Sequence, residues 1–129
     1  MMKIIVDTSV WIEYLRNRPI LAETLDRYLL AGKIFTVGPV IAELLQGAKT
    51  EKDYQALKSS IHGLPFIKTS LEDWIDAGSI SFNLRRKGVT VPITDCVIAA
   101  VAIHQNASIM TYDRHFANIP NLKLESIPG

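Results

Sequence analysis

Cysteine is nearly absent from this sequence: Cys96 stands alone among 129 residues. An intrachain disulfide and a thiolate metal cluster are both excluded, and a lone thiol suits a reducing cytoplasm. Long hydrophobic runs are lacking too. The longest, Cys96 to Ile103, falls far below the roughly 18 residues of a membrane span, which predicts a protein with no membrane segment. Met1 to Val6 is too short for a signal-peptide core and leads straight into a strand pattern. Neither sign of charge is in surplus. With Lys and Arg at 14 and Asp and Glu at 13, the net charge is +1, so any basic patch for nucleic acid must be local. Repeats, low-complexity tracts and linkers are missing. What is present, 48% hydrophobic and 21% charged residues, is the composition of a globular protein. The length fits one domain, 1–129, able to bury roughly two-thirds of its unfolded surface without disulfide or metal.

Apolar periodicity divides the chain into alternating elements. Strand patterns lie at 3–6 (KIIV), 34–37 (IFTV), 66–68 (FIK), 108–112 (SIMTY) and 122–126 (LKLES). Helical spacing is found at 9–17, at 20–31 with Gly32 as its stop, after Pro39, at 51–62, at 70–87 with Gly88 as its stop, and from Pro92 or Thr94 to about Gln105. Strands alternating with helices predict an α/β fold with a mainly parallel sheet. KIIV is apolar throughout, as a strand covered on both faces should be. The helix over 96–103 is apolar on every side, so it is expected to be the most buried.

KIIV ends on Asp7, followed by Thr8 and Ser9. A carboxylate there either caps the next helix or ligates a metal. Three further acids adjoin strongly apolar segments: Glu43, Asp95 and Asp113. Each has an ordinary reading taken singly: a solvated helix face for Glu43, a helix first turn for Asp95, a turn for Asp113. Taken together they converge. In a parallel α/β sheet the strand C-termini and helix N-termini share one edge, the edge where ligands bind. Asp7 and Asp113 end strands there, Asp95 starts a helix there, and Glu43 lies within about two turns of a helix start. Converging carboxylates repel one another, and a hard divalent cation removes the conflict. A donor set of oxygen alone suits Mg²⁺ or Mn²⁺, one ion or two, and the chemistry such sites support is phosphodiester hydrolysis by activated water.

The segments IIVDTSVWIEYL, VIAELLQG, ITDCVIAAVA and IMTYDRHF, in this order, resemble the signature segments of PIN-domain proteins, and most of all the VapC-type toxins of toxin–antitoxin pairs. The resemblance runs from Lys3 to about Ile127. It implies a PIN-like three-layer sandwich with a five-stranded parallel sheet between helices, and a metal-dependent endoribonuclease. The family's acidic positions match Asp7, Glu43, Asp95 and Asp113, and its hydroxyl before the third acid matches Thr94. Thr8 and Ser9 fit the same pattern, although both also serve as helix starters. The resemblance further implies a homodimer and a VapB-type antitoxin that wraps the toxin and blocks its site.

Other features have plainer readings. Arg85, Arg86 and Lys87 belong at a helix C-terminus on dipole grounds, or they contact an RNA backbone beside the acidic rim. Arg114 and His115 adjoin Asp113 and can reach substrate, and His115 is a candidate general acid. Trp11, Tyr14 and Leu15 read as core or dimer surface. Two other functions compete. A phosphatase with a nucleophilic aspartate would want a second Asp two residues after Asp7, where Ser9 stands. A PIN-like module that binds RNA or protein without cutting would have no use for four mutually repelling acids.

Overall fold

The computed structural model describes residues 2–129. The chain runs β1 (Ile4–Val6), α1 (Thr8–Leu15), α2 (Pro19–Leu30), β2 (Ile34–Val37), α3 (Gly38–Gln46), α4 (Glu51–His62), β3 (Phe66–Ile67), α5 (Leu71–Arg86), α6 (Ile93–His104), β4 (Ser108–Met110), a 3-10 turn (Arg114–Asn118) and β5 (Lys123–Leu124). Every strand and helix expected from the sequence forms. Strands β3, β4 and β5 are shorter than their sequence patterns, because pairing stops before the patterns do. At 108–112 the ladder ends at Met110, and beyond it the Asp113 N–H donates to the Thr111 side chain at 2.9 Å.

The five strands are all parallel and lie in the order β3-β2-β1-β4-β5. The chain winds outward from β1 to β3, then returns to the other side of β1 for β4 and β5. The direction of winding therefore reverses between β1 and β4, and the crevice outside their C-terminal ends is the ligand position of such sheets.

Ile4, Ile5 and Val6 are fully buried, so β1 is the centre of the core. Asp95 through Ala102 of α6 are all buried. Ala99, Ala100 and Ala102 let that helix approach its neighbours closely, and α5 packs along it. Stops are local and sequence-encoded. Gly32 and Gly88 take φ of 70° and 80° after α2 and α5, and Asn17 and Asn106 take φ of 57° and 54° after α1 and α6. These left-handed positions favour Gly and, next, Asn. Ser70 and Asp73 form a capping box that opens α5, satisfying two N–H groups that the first turn would leave unpaired.

No helix among the described residues is long and apolar enough to cross a membrane.

Candidate active site

Asp7 follows β1 directly, and its N–H continues the ladder to the Met110 carbonyl at 2.9 Å. Its carbonyl accepts from Val10 and Trp11 N–H, so by position it is the N-cap of α1. Its carboxylate does not cap: no N–H of the helix reaches it. Instead Oδ2 accepts from Ser9 Oγ at 2.9 Å and from Thr111 Oγ1 at 2.7 Å. Ser9 thus holds Asp7 in place, and it also accepts the Tyr112 N–H at 3.1 Å. Thr111 was not singled out by sequence reasoning. Its signal was a hydroxyl two residues before Asp113, at the end of a strand.

Asp7 and Asp95 are 6% and 8% exposed, a costly position for charged groups. Burial first, then the nearby charges of Asp113 and Asp7, push the Asp95 carboxyl up to about 6; His115 offsets part of this and Glu43 adds to it. Glu43 is likewise raised, by burial and then by Asp7, with a smaller contribution from Asp113 against the lowering effect of the Thr8 hydroxyl. The four acids are therefore close enough to act on one another's charges. Glu43 Oε1 and Thr8 Oγ1 are buried, and apart from the Thr8–Glu43 contact neither has a hydrogen-bond partner. Among the described residues, no Lys or Arg forms an ion pair with any of the four acids.

Asp113 does what its turn reading expects, and its charge also reaches the other acids. Its Oδ1 accepts the His115 N–H at 2.9 Å and so caps the 3-10 turn, while its charge acts on Asp95 and Glu43. His115 Nδ1 lies 2.9 Å from the same oxygen and 3.6 Å from Asp95 Oδ2. One donor atom from each of Asp95, Asp113 and His115 falls within 4.8 Å of the others.

The remaining expected residues lie around this group. Thr94 is exposed in the first turn of α6 and has no hydrogen bond to the four carboxylates among the described residues. Arg85, Arg86, Lys87 and Arg114 are exposed. Near the other end of α6, His104 contacts Asp73 and Asp76 in the first turns of α5. The two helices therefore run antiparallel, which brings the Arg85–Lys87 end of α5 to the Asp95 end of α6. Asp73, in the first turn of α5, is buried beneath His104. Away from the rim, a groove of about 740 Å³ opens between α1, α3 and α4, with Trp11, Leu15, Leu44, Leu57 and Ile61 in its walls.

A group of carboxylates in which Asp95 and Glu43 are raised by burial and by their acidic neighbours, with no Lys or Arg partner, fits a divalent cation in its donor chemistry. Fold and site together define an open parallel α/β protein with an acidic crevice at its switch point. A sequence profile of the PIN domain matches residues 4–122. A VapC ribonuclease of Mycobacterium bovis and ribonuclease VapC11 of Mycobacterium tuberculosis are each 38% identical to the chain, across 95% of it and 98% of their own length. Among solved structures, a chain of DNA-bound VapBC from Salmonella typhimurium superposes with a TM-score of 0.83 at 27% identity, covering 97% of this chain and 98% of that one. The chain belongs to the PIN-domain family, in its VapC branch.

Proposed function

We propose that residues 1–129 form one PIN domain that acts as a metal-dependent endoribonuclease, the toxin of a toxin–antitoxin pair. The observation that carries this reading is the group of four interacting carboxylates, without Lys or Arg partners, at the switch point of a chain whose VapC relatives are named ribonucleases. Asp7, Glu43, Asp95 and Asp113 would hold Mg²⁺ or Mn²⁺. When bound, such an ion activates water for attack on phosphorus and offsets charge developing on the phosphate. Ser9 and Thr111 orient the Asp7 carboxylate through Oδ2 and leave Oδ1 for a ligand, as residues behind a metal site commonly do. Arg85, Arg86, Lys87 and Arg114 supply the local positive charge that a backbone contact needs on a chain of net charge +1. Incubation of a total cellular RNA pool with the purified protein is the test. Discrete cuts in Mg²⁺ or Mn²⁺ that disappear in EDTA are expected. RNA retained but uncut in every metal would favour a binding module instead.

We further propose a homodimer through α5. Leu71, Trp74, Ile75 and Phe82 form an exposed apolar stripe at helical spacing, with Trp74 and Phe82 at 56% and 59% exposed. A stripe of this kind on a soluble chain marks an interface. Trp74→Glu is expected to convert a dimer to a monomer in sedimentation equilibrium, and an unchanged mass would sink the assignment. The apolar groove between α1, α3 and α4 suits a helix of the VapB-type antitoxin. A cytoplasmic location agrees with the buried, unpaired Cys96.

A further inference from the structure

The four acids of the sequence pattern offer only oxygen. The fold adds a nitrogen. Asp113 caps the 3-10 turn, and Phe116, 1% exposed, anchors that turn in the core. The turn sets His115 Nδ1 against the two acids, while the side chain stays about half exposed. Nδ1 stands 2.9 Å from Asp113 Oδ1 and 3.6 Å from Asp95 Oδ2, and the three donor atoms lie within 4.8 Å of one another.

The two His115 spacings fall within the range of one coordination sphere. Donors about 2.1 Å from an octahedral cation are about 3 Å apart when adjacent and about 4.2 Å apart across the ion. A second observation points the same way. Glu43, whose buried Oε1 has no partner beyond the Thr8 hydroxyl, is close enough to Asp95 for their charges to interact. The rival account is that His115 is a hydrogen-bonding bracket that holds Asp95 and Asp113 in position and never touches a metal.

We infer that His115 is a metal ligand through Nδ1, so that Asp95, Asp113 and His115 form a mixed oxygen–nitrogen site that takes Mn²⁺ in preference to Mg²⁺. This rests on the reading of the acidic rim as a divalent-cation site. The preference follows from donor type. Imidazole suits first-row transition ions, while Mg²⁺ favours oxygen and keeps its waters.

The test uses the full-length, metal-free protein and Mn²⁺ itself. Binding is followed by loss of the free Mn²⁺ signal in electron paramagnetic resonance, and ligand type by electron spin echo modulation. Bound Mn²⁺ is expected to show ¹⁴N coupling. In His115→Ala that coupling disappears and Mn²⁺ affinity falls at least tenfold, while Mg²⁺ affinity by calorimetry changes less than twofold. Asp95→Asn removes Mn²⁺ binding. Two results overturn the inference and leave the metal site standing: Mn²⁺ bound and lost in Asp95→Asn but without ¹⁴N coupling, or Mg²⁺ and Mn²⁺ weakened equally by His115→Ala. A wild-type protein that binds no Mn²⁺, or binds it regardless of Asp95, overturns the metal reading and this inference with it.

Discussion

Asp7→Ala is expected to reduce RNA cleavage by at least about 10²–10³-fold, the scale on which loss of one transition-state stabilising group acts, while the protein remains folded. Both halves of that expectation follow from the surroundings of Asp7. Its carboxylate sits at the end of the central strand, buried, within charge range of Asp95 and Glu43. Removing it takes one of four anions from the group proposed to hold the cation. The fold should tolerate the loss because the two hydroxyls that serve Asp7 have other partners. Ser9 Oγ accepts the Tyr112 N–H, Thr111 Oγ1 accepts the Asp113 N–H, and the two hydroxyls are 3.4 Å apart. The helix cap survives as well, since it uses the Asp7 carbonyl and not the side chain. Cleavage assays beside circular dichroism decide the matter. A folded variant that cuts as the wild type does would remove Asp7 from the site.

Metal-free protein in EDTA is expected to lose stability as pH rises from about 4 toward 8, and saturating Mn²⁺ is expected to recover most of that loss. Three groups set the direction, Asp95, Glu43 and His104, all raised in the folded state. Asp95 has a folded-state pKa of about 6 against an ordinary 3.8. A carboxyl raised on folding binds more protons in the folded state, so its ionisation costs stability through the window from about 4 to 6. The cost approaches about 3 kcal/mol, since each tenfold change in proton affinity is worth roughly 1.4 kcal/mol.

His104 acts in the same direction at higher pH. Its hydrogen bond to Asp73 raises it against a smaller effect of burial, and Asp76 adds to the rise. Its contribution is complete below about 6.5 and is lost as pH climbs through the raised value. Asp73 works oppositely, in a lower window. Burial pushes its carboxyl up, but the Ser70 N–H and the His104 side chain outweigh this and leave it below the usual 3.8. Its contribution is intact above that value and is lost only in stronger acid.

A cation at one hundred times its Kd would add about 2.7 kcal/mol, or a Tm rise of roughly 8–10 °C in a domain of this size. Calorimetry at several pH values, with EDTA or Mn²⁺, tests this. In Asp95→Asn the dependence between pH 4 and 6 should flatten, and the metal-free variant should be more stable than the wild type at pH 7.5. A metal-free wild type that instead gains stability from pH 5 to 8 would contradict this account of Asp95 and His104.

Periodicity located every strand and helix because those signals are local: an apolar run for β1, helical spacing for α1 to α5, an all-apolar face for α6, Gly and Asn at the stops. The four acids were legible for a related reason. Each adjoins an element end, and a parallel sheet gathers such ends at one edge whatever the details of packing. Element ends were less legible, since the 108–112 pattern outlasts its pairing at Met110.

The work of the side chains was a different matter. Only the tertiary structure shows that the Asp7 carboxylate does not cap α1, because its Oδ2 accepts from Thr111 Oγ1, 104 residues later in the chain. His115 reads as a neighbour of the site until the capped turn directs Nδ1 toward Asp95. The burial of Asp73 appears only when α6 lays His104 against it, 31 residues away. The sequence by itself determined the elements, the parallel sheet and the acids at its rim, because each depends on residues a few positions apart. Tertiary structure alone decided which donors share a site and which face of α5 is left bare. Those contacts join distant segments, and only the placement of β4 beside β1 and α6 beside α5 brings them within bonding distance.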